Sequence, residues 1–294
     1  MGSNNIVIIG PRKSGKTTYL AALAYQSERQ IQHQKRSQYK VVAGNLEAAK
    51  LTQKAALLIK KSLQLEPTRV NAVDELPYYL FTIERQLSIL GRILNWRSLK
   101  QFYIISRDYP GDVFDSLASK SLYSPLINEY IDDLFIDKIG CIIMMSGWGL
   151  NYDKFYHSSL TSLLEIMYSR SDIKDYKIAV VMSKCERIEL WPGRLNPESD
   201  LFEVHLPRTR DILRRRIQKE NLKFFAISSF GVLGENDPRP NRENRIIHGE
   251  FLSVLRDSEK WQPYNLIEPL YWLSTGQVIP VLNRKFPALF SWQG

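Results

Sequence analysis

Gly10-Pro11-Arg12-Lys13-Ser14-Gly15-Lys16-Thr17 is the stretch on which the reading of this chain turns. Glycine, four residues, glycine, lysine and a hydroxyl residue is the spacing of a phosphate-binding P-loop. The glycines let the main chain curl until successive N–H groups point inward onto a phosphate. The unsatisfied N–H groups at the start of the following helix continue the same cradle. Gly10, Lys13, Ser14, Gly15, Lys16, Thr17 and Thr18 are therefore the expected phosphate-binding set. In it the Lys16 ammonium reaches the β- and γ-phosphate oxygens, and the Thr17 hydroxyl ligates Mg²⁺. An apolar strand, Asn5–Ile9, enters this loop. A helical pattern leaves it, with Tyr19, Leu20, Leu23 and Ala24 sharing one face.

Outward from the loop, strand-like and helix-like segments alternate. Residues 28–40 are polar and rich in Gln, Arg and Lys, which predicts a connection. Asn45 is placed to cap a helix to about Ser62, striped by Leu51, Ala55, Leu58 and Ile59. Residues 77–84 alternate as a strand with one polar-tolerant face, the pattern of a sheet edge. Residues 101–105, 139–145, 178–182 and 223–227 read as further strands, the middle two apolar throughout. Helices are expected between them around Tyr156–Leu160–Leu163–Leu164–Met167 and over 209–218. Residues 234–244 read as a charged, proline-containing loop. The aromatic tail from Trp261 to Leu273 is expected to pack back onto the main body. Uniformly apolar strands alternating with helices call for a mostly parallel sheet covered on both faces, a three-layer α/β P-loop NTPase fold with one antiparallel edge strand near 78–84. The expected division is a domain over 1–235, with a long helical insertion at about 28–77, and an extension over 236–294.

Composition sets the outer bounds. The 294 residues are 44% hydrophobic and 24% charged, ordinary for a globular protein and wrong for a disordered or collagen-like one. No apolar run approaches the roughly 18–20 residues of a membrane helix. Forty Lys and Arg against 31 Asp and Glu leave a net charge of +9, which permits phosphate, nucleic-acid or lipid partners without choosing among them. Cys141 and Cys185 form no disulfide framework and four scattered histidines form no zinc set. The chain starts a strand within five residues and shows no secretory signal, so a reducing cytoplasm is the expected compartment.

A P-loop needs a second carboxylate at the metal. Asp108 follows a strand and precedes Gly111 by three positions, so Asp108 is expected to hold Mg²⁺ through water and the Gly111 N–H to sense the γ-phosphate. A plain Asp-Tyr-Pro-Gly turn is the alternative. Further on, Ser183-Lys184-Cys185-Glu186 and Ser228-Ser229 each follow a strand.

With these motifs in this order, the chain resembles the translation-factor-related, Ras-like (TRAFAC) class of P-loop GTPases over roughly residues 5–232. The resemblance implies GTP/GDP and Mg²⁺ as ligands. It gives Thr68 the role of switch residue completing the metal's coordination, with Arg69 beside it. It gives Lys184 the covering of the purine ring, and Glu186 the acceptance of guanine N1–H and the 2-amino group. Main-chain N–H groups of Ser228 or Ser229 would lie near O6. Two positions depart from the pattern. Glu186 is one methylene longer than the usual Asp, and Ser183 replaces an Asn whose amide ties this loop to the P-loop. ATP or relaxed base specificity is therefore an open alternative, as is a nucleotide-binding interaction module without hydrolysis. The tail and the long first switch segment resemble the double-GTPase or GTPase-like proteins of bacterial conflict systems, implying a defence role and a protein effector or regulatory partner.

Ras-like enzymes position the attacking water with Gln after Asp-x-x-Gly. Here Asp112 stands there, a carboxylate that repels the γ-phosphate and lacks an amide donor. Lys16, Gly111 and Asp112 are the expected catalytic residues, and slow intrinsic hydrolysis is the expectation. Arg12 and Arg107 are either transition-state cations or surface ion-pair partners. Arg208, Arg210, Arg214, Arg215, Arg216 and Lys219 make a basic stripe, read chiefly as solvated helix surface and less favoured as a membrane or nucleic-acid contact.

Overall fold

The computed structural model describes residues 5–32, 39–61, 77–85, 101–107, 111–118, 130–132, 134–135, 138–170, 175–247 and 250–279. In chain order the elements are β1 (Asn5–Ile9), α1 (Lys16–Gln32), β2 (Tyr39–Ala43), α2 (Leu46–Lys61), β3 (Tyr78–Arg85), β4 (Gln101–Arg107) and α3 (Gly111–Ala118). They continue with β5 (Lys138–Met145), α4 (Leu150–Arg170), β6 (Lys177–Met182), α5 (Pro207–Arg216), β7 (Leu222–Ala226), β8 (Val232–Gly234), β9 (Asp237–Pro240), β10 (Arg242–Ile247), β11 (Glu250–Leu255) and α6 (Glu268–Thr275).

Four strands run parallel in the order β1-β5-β6-β7. Each is apolar at consecutive positions because each is buried on both faces. The period-2 alternation of side chains deals them to two cores. Ile6 and Ile8 join α1, α2 and α6 on one face, with Ile142, Met144, Ala179, Val181 and Phe225. Val7 and Ile9 join α3, α4 and α5 on the other, with Cys141, Ile143, Met145, Val180 and Phe224. The result is the three-layer P-loop NTPase architecture that the pattern predicts.

The antiparallel strand is β3, which pairs with β4, and β4 lies alongside β1. β3 is not the edge, however. β2 pairs antiparallel beyond it, Val41 opposite Ile83. Two further sequence expectations are corrected. The polar connection from residue 28 is helical through Gln32, and Tyr39–Ala43 is a strand whose Tyr39 and Val41 reach the core. Residues 237–240 and 242–247 are likewise strands rather than an open loop.

Helix termini are held by named side chains. The Asn45 Oδ1 accepts the Ala48 N–H at 2.9 Å, capping α2, and also the Leu80 N–H at 3.2 Å, while its amide donates to Tyr78 O. One side chain thus caps a helix and pins it to β3. At α5 the residue before the helix, Leu206, offers no side-chain cap. Asp153, from α4, does so instead: its carboxylate accepts the N–H groups of Arg208 (3.1 Å) and Thr209 (2.9 Å) and the Thr209 hydroxyl (2.8 Å). A carboxylate there also complements the positive helix end.

The aromatic tail closes the first core. Trp261 packs on Tyr25 with ring centroids 4.9 Å apart, Trp272 on Phe225 at 6.0 Å, and the Tyr19 hydroxyl donates to Leu266 O at 2.7 Å. Helix α1 is therefore buried at every position from Tyr19 to Tyr25, where Ala21, Ala22 and Ala24 let its neighbours approach closely. Among the described residues no helix is long and apolar enough to cross a membrane.

Candidate functional site

The loops that leave the carboxyl ends of β1, β5, β6 and β7 meet at one edge of the sheet, where open α/β folds bind ligands. The loop after β1 is tightly curled. Gly10 has φ 150° and passes so close to β5 that a Cβ on it would sit 2.2 Å from Met144 O, so no other residue fits. Lys13 has φ 59° and Gly15 φ 96° on either side of Ser14, an alternation of hand that turns successive N–H groups toward one point. The Lys16 ammonium is buried and folds back over the loop, donating to Gly10 O at 2.8 Å and Pro11 O at 3.1 Å. The Ser14 hydroxyl is fully buried and has no hydrogen-bond partner among the described residues. A buried hydroxyl left so costs ~1–3 kcal/mol, an expense that a bound anion would remove. Loop shape, ammonium and waiting donor fit a phosphate group. Thr17 and Thr18 follow in the first turn of α1.

Two neighbouring loops, those after β5 and β6, are clipped onto this one by three side chains. The Ser183 hydroxyl donates to Ser14 O at 2.6 Å, with Met145 O 3.0 Å away. The Lys184 ammonium donates to Lys13 O at 2.6 Å, and the Ser146 hydroxyl to the same oxygen at 3.3 Å. The tie between the loop after β6 and the P-loop, expected to be lost with the Asn-to-Ser departure at 183, is therefore present, carried by a hydroxyl in place of an amide. Ser146 has no spacing rule to announce it. Its N–H and that of Gly147 both donate to the Tyr156 hydroxyl, which the apolar face of α4 delivers. Burial, with Arg242 and Arg187 nearby, pulls the Lys184 ammonium down to about 8.

Glu186 is buried beneath this loop. Its Oε2 accepts the Ser228 hydroxyl at 2.7 Å, and its Oε1 faces the Arg242 guanidinium at 3.3 Å. The Ser228 N–H, one of the two donors expected near the base, is given to Tyr264 O at 3.0 Å. Ser229 follows it, its carbonyl accepting the Trp261 indole N–H.

On the phosphate side, Gly111 and Asp112 open α3. The Asp112 side chain, the Arg107 side chain, Asp108, Thr68 and Arg69 lie outside the described residues. Asp115, one turn further along α3, was not foreseen. It accepts the Arg12 main-chain N–H, and burial raises its carboxyl above the usual range while the Lys16 and Arg12 charges pull it down. Its position four residues after Gly111 was the available signal.

Two of the six cations of the basic stripe, Arg210 and Arg214, are tied into the protein, while Arg208, Arg215, Arg216 and Lys219 are exposed on the surface. Arg214 forms a two-point pair with Glu198 and lies over the Phe224 ring, and Arg210 pairs with Glu203 and Asp211.

No protein-family model matches the chain, and no curated protein does. Solved structures of GTPase proteins are among those it resembles. One is a chain of the "signal recognition particle receptor SRb-GTP/SRX complex" from Chaetomium thermophilum, 11% identical, covering 79% of this chain and 93% of that one at a TM-score of 0.35. Another is the S. cerevisiae Ski7 GTPase-like domain bound to GTP, 14% identical over 80% of this chain and 44% of that one, TM-score 0.37. Sup35 complexed with GDP is 10% identical over 77% and 37%, TM-score 0.32. Likeness this distant carries no argument about chemistry. The class, a protein of P-loop NTPase fold, rests on the strand order and on residues 10–17 of this chain.

Proposed function

We propose that this protein is a GTP-binding switch with slow intrinsic hydrolysis, working in the cytoplasm through a protein partner. The observation that carries the reading is the loop at residues 10–17, where a buried lysine and a buried, unpartnered serine hydroxyl converge under inward-turned amides. Gly10, Lys13, Ser14, Gly15, Lys16 and Thr18 would hold the phosphates, and Thr17 with Asp108 and Thr68 would hold Mg²⁺. The metal would neutralise charge on the β- and γ-phosphate oxygens. Gly111 would report the γ-phosphate, and Asp112, in the place of a water-positioning amide, accounts for the slow rate. Lys184 would lie along the purine, Glu186 would receive its N1–H and 2-amino group, and Ser228 or Ser229 would face O6. The unit that switches is residues 1–235 with its insertion at 28–77, and residues 236–294 ride on it. A place in a bacterial defence system is supported only by the resemblance of the tail and of the long first switch segment.

The test is equilibrium binding of fluorescent GDP and GTP with magnesium to the full chain. Saturable uptake, lost at least a hundredfold in Lys16→Ala, is expected from the removal of a charge-assisted contact to phosphate (about 3 kcal/mol). Absence of uptake, or uptake indifferent to Lys16, overturns the reading.

A second reading, a nucleotide-binding module of relaxed base specificity, is favoured by one observation: Glu186 is buried and both of its oxygens are already engaged. Competition of GTP and ATP for the same site separates the two.

A further inference from the structure

Arg242 is planted, not loose. The residue before it, Asn241, is fully buried and satisfied all round. Its N–H donates to Gly231 O at 3.0 Å, its carbonyl accepts the Arg256 N–H at 3.4 Å, and its amide exchanges two bonds of 2.8 Å with the Asp257 main chain. Gly231 in turn donates its N–H to the Ser228 hydroxyl at 2.7 Å. With φ 73°, it lets the chain pass so near Gln262 that a Cβ would meet the latter's oxygen at 1.9 Å. Ser228 and Tyr264 exchange main-chain bonds of 3.0 and 2.8 Å. The wall of the base loop is thus built from the segment that follows β7. A single relay runs from the Gly231 N–H through the Ser228 hydroxyl to Glu186 Oε2, with Arg242 on Oε1.

We propose that Arg242 competes with guanine for the Glu186 carboxylate, so that the β10–β11 hairpin controls base recognition; this rests on the GTP reading above. A guanidinium and the N1–H/2-amino edge of guanine present the same planar fork of donors to a carboxylate. Glu186 is 1% exposed and Arg242 13%, so no room remains for a second fork while the first is in place. Arg242 is displaceable because it holds the carboxylate through one nitrogen at 3.3 Å, long for a charge-assisted bond. Adenine has no such donor pair and gains nothing from the carboxylate, so the competition falls on guanine alone. Linkage makes it reciprocal. Guanine nucleotide frees Arg242 and loosens the hairpin, and a docked hairpin weakens guanine binding by the same factor.

The experiment measures binding of ribose-labelled fluorescent GDP and ADP to the full chain as wild type, Arg242→Gln, Arg242→Lys and Glu186→Gln. Hydrogen exchange over residues 242–255 is followed in parallel. Arg242→Gln is expected to tighten GDP about tenfold, the equivalent of one charge-assisted bond, and to leave ADP within about twofold. Glu186→Gln is expected to weaken GDP. Saturating GDP, but not ADP, is expected to speed exchange in wild-type β10. GDP affinity unchanged or lowered in Arg242→Gln overturns the proposal, because Arg242 would then merely hold the carboxylate in place for the base. Should melting curves show that Arg242→Gln does not fold, Arg242→Lys decides: tightened GDP supports competition and unchanged GDP overturns it. The two readings fail separately. Wild type that takes up neither nucleotide ends the GTP reading, whereas uptake of both with a GDP/ADP ratio indifferent to Arg242 ends the competition only.

Discussion

The Ser183 hydroxyl donates to the main-chain oxygen of Ser14 at 2.6 Å across 169 positions of sequence. This bond joins the loop after β6 to the middle of the P-loop, and both residues are buried. Ser183→Ala leaves the Ser14 carbonyl short of a partner out of reach of water, which costs ~1–3 kcal/mol. Urea denaturation is expected to show that loss. Nucleotide affinity is expected to fall severalfold with it, because the phosphate loop and the base loop lose their common register. A variant as stable as the parent would show that the bond does no work.

Asp153 is expected to matter for stability although it belongs to none of the loops of the candidate site. Among the described residues it is the side chain that caps α5, its carboxylate accepting three hydrogen bonds from Arg208 and Thr209. Asp153→Ala should cost ~2–4 kcal/mol, since charge-assisted bonds are lost and buried donors stranded. Asp153→Asn keeps one acceptor and should recover a good part. Chemical denaturation of the two variants tests the order.

Lys184 predicts a pH dependence of definite sign. Its ammonium is held down to about 8 in the folded chain from an ordinary 10.5, chiefly by burial. Between those values the unfolded chain binds more protons than the folded one, so stability rises with pH across the window. Below about 8 the cost of the desolvated charge is fully present. Several buried tyrosines and both cysteines are shifted upward and act oppositely at high pH, so the measurement is the difference between wild type and Lys184→Met. That difference should move in favour of wild type from pH 8 toward 10. A flat difference would mean that Lys184 is not desolvated.

The two thiols give the cheapest check of the fold. Cys141 and Cys185 are buried, and burial pushes the Cys141 thiol up to about 12 and Cys185 higher still. Only the thiolate reacts. Dithiobis-nitrobenzoate at pH 8 is expected to titrate neither in the native protein and both after denaturation. Rapid labelling of the native chain would contradict the packing of β5 and of the loop after β6.

How much was legible follows from where each element gets its stability. β1, β5, β6 and β7 are buried on both faces, so their sequences are apolar runs and announce themselves. β2 could not do so: Tyr39-Lys40-Val41-Val42-Ala43 is short, follows a polar stretch, and becomes a strand only because β3 is there to pair with. The hairpin beginning Arg242-Glu243-Asn244-Arg245 carries a charged, loop-like pattern. It is held by Asn241 and its partners rather than by local preference. At the site, residues 10–17 were readable because the geometry is local. The clips from Ser146, Ser183 and Lys184 and the insertion of Arg242 were not, because each depends on which way a side chain turns across more than a hundred positions, or in the case of Arg242 on a hairpin that looks like a loop.

The Tyr19–Leu266 bond has a consequence at birth. It joins groups 247 positions apart, and Trp261 and Trp272 arrive with it. At roughly 5–20 residues per second of translation, the ribosome takes on the order of 10–50 s to deliver that strap after α1 has emerged. For that interval the nascent polypeptide carries a bare oily flank that it cannot yet cover, an opening for holdase chaperones. A message truncated before Leu266 would yield a product that never closes it and is destined for proteolytic clearance.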